Sequence, residues 1–219
     1  MSNINIAPSI LSADFGYLMK DIKDIEPYCR YLHLDVMDGH YVPNFTIGIP
    51  VIKTIRKHTD LIFDCHLMIT DPDKYIKDFA DAGCDYITFH IECSSDPEKL
   101  CNDIRALGKK PGIAIHPDTP IETLVPYLKF VDLILIMSVR PGFGGQKYME
   151  GSTERIAFIR KELDKIGSSA MLSVDGGINN STVKEAYQAG ADLLVAGVAV
   201  FGKEDRGLAV KELTECALQ

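Results

Sequence analysis

Residues 82–90 read Ala-Gly-Cys-Asp-Tyr-Ile-Thr-Phe-His, a stretch in which a helix-like segment gives way directly to a strand-like one. A glycine such as Gly83 is typical of the position that follows the last turn of a helix. The apolar and aromatic run at 86–90 then predicts a strand that begins at once. The sequence Ala-Gly-Ala-Asp at 189–192 repeats this turn before the apolar run at 193–196. The chain therefore uses the same helix-to-strand return twice.

The alternation of strand and helix extends over the whole chain. Short apolar runs predict eight strands, at residues 4–9, 31–35, 61–66, 86–90, 111–116, 133–138, 170–175 and 193–196. Longer segments between them, several of them amphipathic, predict helices near 17–25, 50–57, 74–82, 98–107, 121–127, 154–165, 181–189 and 208–217.

Eight strand–helix units in 219 residues predict an α/β fold, a single (β/α)₈ TIM barrel. An open doubly wound sheet also alternates strand and helix and is the second interpretation. Polar residues at nearly every strand's C-terminal end favour the barrel, because its chemistry gathers there. No linker or low-complexity stretch interrupts the pattern, so we expect residues 1–219 to form one catalytic domain.

Composition excludes several classes of function. A formal net charge of −8 argues against binding to nucleic acid or to an anionic membrane, which require basic patches. No apolar run approaches the ~18 residues of a membrane span. The six cysteines form no Cys-x-x-Cys pair and the N-terminus does not resemble a signal peptide, so we expect a reducing, cytoplasmic compartment. Because barrels often pair, we also expect a homo-oligomer.

Two imidazoles and two carboxylates stand at strand ends. The sequence His-Leu-Asp-Val-Met-Asp at 33–38 puts His33 and Asp35 on one face of a strand, since alternate side chains share a face. Asp-Cys-His at 64–66 adds His66, and Ser-Val-Asp at 173–175 adds Asp175. A hydrogen-bonded core histidine is the simpler explanation for any one position. All four together form a ligand set that a divalent transition metal accepts, and they favour a metal site.

Three glycine-containing segments follow the last strands: Pro-Gly-Phe-Gly-Gly at 141–145, Asp-Gly-Gly at 175–177 and Ala-Gly-Val at 196–198. Glycine lets backbone N–H groups approach an anion, and barrels commonly bind phosphate after strands 7 and 8. One such loop alone is equally well explained as a tight turn. Three on neighbouring strands predict a phosphate site held by backbone dipoles.

Two further features border this region. Residues 141–148 make a long, glycine-rich connection, which is either a hinged lid or a solvated loop. Met37, Met68 and Met137 each lie at or beside a strand-end position. Methionine is usually core filler, but three at equivalent places also suggest an apolar collar around the substrate.

Together these segments resemble the ribulose-phosphate 3-epimerase (pentose-5-phosphate 3-epimerase) family of the pentose phosphate pathway. The matching stretches follow the family order over nearly the whole chain, at residues 7–15, 33–44, 64–68, 137–146, 174–178 and 195–201. The resemblance implies a barrel enzyme that interconverts D-ribulose 5-phosphate and D-xylulose 5-phosphate at C3 through a metal-stabilised enediolate. Its small-molecule partner would be this sugar phosphate.

The resemblance also implies roles for particular residues. A divalent metal, usually Zn²⁺ or Fe²⁺ with Mn²⁺ or Co²⁺ as alternatives, would bind His33, Asp35, His66 and Asp175. Asp35 and Asp175 would be the catalytic acid/base pair. Substrate would be bound by Ser9, His66, Gly142, Phe143, Gly144, Gly145, Asp175, Gly176, Gly177, Gly197 and Val198, beneath the collar of Met37, Met68 and Met137.

Three positions depart from the family pattern. Val198 replaces a common serine, Arg140 stands where a smaller or neutral residue is frequent, and His116 replaces an asparagine. An epimerase for a related ketose phosphate such as allulose 6-phosphate is the nearest rival. A barrel decarboxylase would need a lysine in an Asp/Lys array at the strand ends, which this chain lacks. A phosphate-binding or metal-storage barrel would leave the paired aspartates unexplained.

Overall fold

The computed structural model describes residues 4–219 and contains eight parallel strands in one sheet. These strands are β1 (Asn5–Pro8), β2 (Tyr31–Met37), β3 (Ile62–Met68), β4 (Tyr86–His90), β5 (Lys110–Ile115), β6 (Leu133–Met137), β7 (Met171–Asp175) and β8 (Leu193–Ala196). Each strand from β2 to β8 pairs with the next, and β8 pairs with β1. A single parallel bridge between Ser9 and His33 joins β1 to β2. The predicted (β/α)₈ barrel is confirmed.

Helices alternate with the strands. They are α1 (Leu18–Ile25), α2 (Ile49–Ile55), α3 (Ile76–Ala82), α4 (Pro97–Ala106), α5 (Ser152–Lys165), α6 (Val183–Gln188), α7 (Val198–Phe201) and α8 (Arg206–Leu218). Short 3₁₀ turns occupy Ile10–Ser12, Pro72–Lys74 and Ile91–Cys93. No helix in residues 4–219 is long and apolar enough to cross a membrane.

The predicted helix at 121–127 is wrong in type, since this segment is a 3₁₀ helix that contains Pro126. Proline has no N–H to donate and clashes with the preceding turn of an α-helix, so the segment adopts the shorter repeat. The short helix α7 was not predicted, because it follows β8 after only one residue.

Gly83 and Gly190 confirm the return predicted from the repeated turn. Their φ angles are +103° and +113°, in the left-handed region where a side chain is disfavoured. The N–H of Gly83 bonds to the carbonyl of Ala80, which closes α3. The chain can therefore leave the helix and enter the next strand within a few residues.

Side chains pack on both faces of the sheet, one layer outside the barrel and one inside it. Outward-facing strand residues such as Leu34 and Phe63 pack under the helices with residues such as Ile22 and Ile52, all fully buried. The alternate positions face inward, where one apolar cluster includes Leu135 and other residues of β1, β6 and β8. Polar inward positions concentrate on β2, β3, β4 and β7, so the sheet itself places the imidazoles and carboxylates inside the barrel.

Candidate active site

The strand register brings His33, Asp35, His66 and Asp175 to one place. Asp35 on β2 lies directly opposite His66 on β3, and Asp175 is the last residue of β7. One ligand atom from each of the four residues lies within 4.8 Å of the others. His33 Nε2 is 3.3 Å from Asp35 Oδ1 and 3.9 Å from Asp175 Oδ2. His66 Nδ1 is 3.2 Å from the same Asp35 atom and 3.9 Å from the same Asp175 atom.

The surroundings of His33 fit a bound cation. Asp64 Oδ2 lies 2.7 Å from His33 Nδ1 and orients the ring. His33 Nε2 is buried and has no hydrogen-bond partner among residues 4–219. Burial opposes a charge on this imidazole, but the carboxylates of Asp35 and Asp64 outweigh burial and raise the pKa of His33 well above its usual value. The pocket therefore favours positive charge at its centre, and its donor set suits a first-row divalent metal.

Asp35 and Asp175 carry the same group in different environments. Burial opposes ionisation of Asp35, but His33 and His66 outweigh it and lower its pKa well below the usual range. The Oγ–H of Ser9 also donates to Asp35 Oδ2 at 2.5 Å. Burial together with the charge of Asp35 raises the pKa of Asp175 to about 6. Of the two, Asp175 holds a proton more readily.

A line of polar contacts leads outward from His66. Its Nε2 lies 2.8 Å from His90 Nε2, and His90 Nδ1 lies 2.8 Å from the Tyr41 hydroxyl and 3.3 Å from Glu92 Oε2. Burial lowers the pKa of His90 to about 4, so this ring is neutral near pH 7. Burial would raise the pKa of Glu92, but hydrogen bonds from His90, Thr119 and a backbone N–H lower it to about 2.

A cleft of about 530 Å³ opens above the four-residue cluster. It is lined by nearly all the predicted substrate-contacting residues: Ser9, Gly142, Phe143, Gly144, Gly145, Asp175, Gly176, Gly177, Gly197 and Val198, with Asp35, Met37, Met68 and Met137. His66 is not among the residues that line the cleft, and its imidazole is fully buried. Met37 and Met68 pack together with Val42, whereas Met137 belongs to the inner barrel cluster.

The glycine-rich connection after β6 is held at several points. The side-chain amide of Asn44 donates to the carbonyl of Gly142 at 2.7 Å, and that of Gln146 donates to the carbonyls of Arg140 and Phe143. Phe143 nevertheless keeps 56% of its surface exposed. In this structure the connection is a folded loop over one side of the cleft.

Several cleft-lining residues were not predicted from the sequence. They include Ser12, Asn179, Asn180, Ser181 and Lys203. Residues 179–181 begin one residue after the predicted Gly176–Gly177 segment, so extending that segment by a few residues would have found them, whereas no glycine segment points to Ser12 or Lys203. Arg140, by contrast, pairs with Asp118 at 3.2 Å and does not line the cleft.

The fold and the cluster define a (β/α)₈ barrel with a metal-competent imidazole–carboxylate site at the C-terminal ends of its strands. Comparison with known proteins identifies the family. The model of the Ribulose-phosphate 3 epimerase family matches residues 5–201, and the chain belongs to this family.

Curated relatives agree over nearly their whole lengths. The chain is 44% identical over 208 residues to the ribulose-phosphate 3-epimerase of Mycobacterium bovis, covering 95% of this chain and 90% of the relative. It is 43% identical to the enzyme of that name from Bacillus subtilis, with 96% and 98% covered.

Solved structures with low sequence identity share the barrel. KGPDC from Streptococcus mutans superposes with a TM-score of 0.72 at 12% identity, over 98% of this chain and 97% of that one. Orotidine 5′-phosphate decarboxylase from Pyrococcus horikoshii OT3 gives 0.68 at 17% identity, over 98% and 99%. At such identities the likeness concerns the fold alone.

Proposed function

We propose that this protein is a ribulose-phosphate 3-epimerase that interconverts D-ribulose 5-phosphate and D-xylulose 5-phosphate at C3. Membership of the family supports the activity. The observation that carries the proposal is the convergence of the Asp35 and Asp175 carboxylates with two buried imidazoles at the base of the cleft. Inverting a carbon next to a ketone requires removal of a proton from one face and delivery of another to the opposite face. Two carboxyl groups, one acting as base and the other as acid, can carry out these two transfers.

In this proposal one divalent metal ion would be held by His33 Nε2, Asp35 Oδ1, His66 Nδ1 and Asp175 Oδ2. Two observations on the described residues support such an ion: His33 Nε2 has no hydrogen-bond partner, and the four donors are a mixture of nitrogen and oxygen. Zn²⁺ or Fe²⁺ is favoured, and Mn²⁺ or Co²⁺ is also accommodated. When bound, the ion would supply Lewis-acid stabilisation of the negative charge that develops beside C3. His66 is assigned to the metal alone, because it does not line the cleft.

The two aspartates divide the proton transfers. With its low pKa, Asp35 is ionised and ready to accept the C3 proton, and Ser9 orients its Oδ2. In the metal-free site, burial and the charge of Asp35 raise the pKa of Asp175, so of the two carboxyls Asp175 more readily holds the proton that is delivered to the other face. In the reverse direction the two residues exchange roles. An ordinary solvated aspartic acid has a pKa of ~3.9 and holds almost no proton at neutral pH, so the raised pKa of Asp175 suits it to the acid role.

The glycine segments would bind the phosphate. Gly142–Gly145, Gly176, Gly177, Gly197 and Val198 surround the cleft, and their backbone N–H groups are the donors we assign to the phosphate oxygens. Val198 offers no hydroxyl, so its contribution is confined to its backbone. Met37, Met68 and Met137 would exclude water above the reacting carbon. One catalytic domain over residues 1–219, a cytoplasmic location and a homo-oligomeric state remain predictions.

The decisive experiment is metal depletion coupled to an epimerase assay. We expect chelation to abolish conversion of ribulose 5-phosphate to xylulose 5-phosphate, and added Zn²⁺, Fe²⁺, Mn²⁺ or Co²⁺ to restore it. In D₂O the active protein should incorporate deuterium at C3. A fully active metal-free preparation would overturn the metal's role. Turnover of allulose 6-phosphate in preference to ribulose 5-phosphate would overturn the substrate assignment.

A further inference from the structure

The assignment of His66 Nδ1 as a ligand imposes a requirement on the rest of that ring. A neutral imidazole carries its proton on one nitrogen and a lone pair on the other. For Nδ1 to present its lone pair to the centre of the cluster, the proton must reside on Nε2. That nitrogen faces His90 Nε2 at a distance of 2.8 Å.

The contact between the two imidazoles fixes the proton of His90 in turn. One of two ring nitrogens at hydrogen-bond distance must accept, so a His66 that donates from Nε2 needs a His90 that accepts at Nε2. The His90 proton then resides on Nδ1, which faces Glu92 Oε2 at 3.3 Å and the Tyr41 hydroxyl at 2.8 Å. Tyr41 fits the same direction, because its oxygen can accept from His90 while its O–H donates to Glu92 at 3.4 Å.

Glu92 sets the direction of the hydrogen bonds that run from His66 through His90 to Glu92, because an ionised carboxylate can only accept hydrogen bonds. Its other oxygen, Oε1, accepts from the backbone N–H of His116 at 2.9 Å and from the Thr119 hydroxyl at 2.5 Å. Arg155 in turn donates to the carbonyls of His116 and Thr119. Glu92 is thus anchored to the segment that follows β5, with Oε2 left to face His90.

We propose that Glu92 and His90 are positioning residues that fix the tautomer of His66, so that its Nδ1 lone pair faces the proposed metal. The inference rests on the metal site of the proposed function and extends it to two residues that touch neither the metal nor the substrate. Groups that orient ligating histidines typically change metal affinity by about 10–100-fold when they are removed.

The first test is Co²⁺ binding to Glu92→Gln, followed by its visible absorption spectrum. A glutamine amide has one acceptor oxygen and one donor N–H₂. If the N–H₂ faces His90 and Tyr41, it donates where Glu92 accepted, and the direction of every hydrogen bond back to His66 is reversed. If the N–H₂ faces His116 instead, the backbone N–H of His116 loses its acceptor. We expect the Co²⁺ dissociation constant to rise by about tenfold or more and the spectrum to change. Glu98→Gln on the exposed start of α4 is the matched control and should bind as the wild type does.

A pair of substitutions at His90 separates hydrogen bonding from packing. His90→Gln supplies an acceptor oxygen and a donor N–H₂, and we expect it to retain most of the Co²⁺ affinity. His90→Leu fills the space without either group and should lose affinity as Glu92→Gln does. Circular dichroism of each metal-free variant checks that it is folded.

The tautomers can also be read without any substitution. In the ¹⁵N NMR spectrum of the Zn²⁺-loaded wild type, we expect His66 to be protonated at Nε2 and His90 at Nδ1. The opposite protonation would overturn the inference. This test holds even if a variant fails to fold. Unchanged Co²⁺ affinity and spectrum in folded Glu92→Gln would also overturn it. A wild-type protein that binds no Co²⁺ would instead overturn the proposed metal site.

Discussion

Asp35 and Asp175 differ because of what surrounds each carboxylate. Asp35 is only 4% exposed and contacts the Ser9 hydroxyl and the His66 ring, both of which favour its anion. Asp175 has 18% of its side chain exposed, and its imidazole neighbours are 3.9 Å away. The barrel therefore gives two chemically identical groups different proton affinities, which suits one to accept a proton and the other to donate one.

Replacing either carboxylate by its isosteric amide tests this division. We expect Asp35→Asn and Asp175→Asn each to lower kcat by about 10³-fold or more, because an amide neither accepts nor returns a proton at neutral pH. The surface variant Asp103→Asn, which loses only an exposed pair with Lys99, should keep full activity. Near-native turnover in either site variant, measured with metal retained and the fold intact by circular dichroism, would contradict the acid/base assignment.

At the scale of the element, the repeated turn carries a repeated set of contacts. Asp85 accepts hydrogen bonds from Arg56 and from the backbone N–H of Phe63. Asp192 does the same with Arg160 and the N–H of Leu172. In each case the residue two positions beyond the glycine ties the new strand to the preceding one, so the Gly-x-Asp sequence fixes strand register as well as ending a helix.

The loops after β6 and β7 approach each other closely at one glycine. Gly177 has a φ of +66°, and a Cβ added there would lie 2.1 Å from the backbone nitrogen of Tyr148. A backbone atom cannot swing aside as a side chain can. This glycine therefore sets the position of the end of the β6 loop relative to the cleft.

Gly177→Ala tests that contact against a control with the same backbone strain. Gly167 has a φ of +61° and open space around its missing Cβ. We expect Gly167→Ala to cost only the left-handed strain of about 1–2 kcal/mol and to leave kcat/KM unchanged. Gly177→Ala should cost more in urea unfolding and should also lower kcat/KM, because the loop must move. Equal effects of the two variants on stability and activity would show that the contact with Tyr148 is unimportant.

Contacts within one strand could be predicted from the sequence, whereas contacts between strands mostly could not. His33 and Asp35 were predictable because alternation along one strand places them together, and Asp175 because barrel strands end at a common mouth. The contact of His66 with His90 was not, since His66 lies opposite Thr88 and His90 is two residues further along β4. Such a contact depends on the stagger between strands, which a single sequence does not encode locally. The position of Lys203 at the cleft similarly depends on the direction in which α7 leaves β8.

At the scale of the whole molecule, the six cysteines are free thiols placed mainly against the apolar layer between sheet and helices. Burial raises the pKa of Cys29, Cys93 and Cys101 to about 12 each. The thiolate is the reactive form, and it is scarce at about pH 8 when the pKa is this high. This distribution indicates that most of these residues act as small hydrophobic side chains.

Thiol labelling measures this protection across the molecule. We expect these three cysteines of the native protein to react slowly with an aromatic disulfide reagent at about pH 8, and all six to react rapidly in denaturant. Mass spectrometry of the labelled peptides identifies the sites. Rapid native labelling of Cys29 and Cys101, which pack in the apolar layer, would show that this layer opens far more often than the closed barrel implies.

The junction between β1 and β2 has a consequence for how this fold avoids aggregation. Every other pair of neighbouring strands forms a ladder of several residues, whereas within residues 4–219 this junction has only the Ser9–His33 bridge. A loosened junction would expose a strand edge, the usual template for pairing with a second chain. Two edges would be freed: that of β1, which is four residues long and ends in Pro8, and that of β2, which is seven residues long. A short strand that ends in a proline is a poor template, so at this junction only the edge of β2 would offer a second chain a strand to pair with.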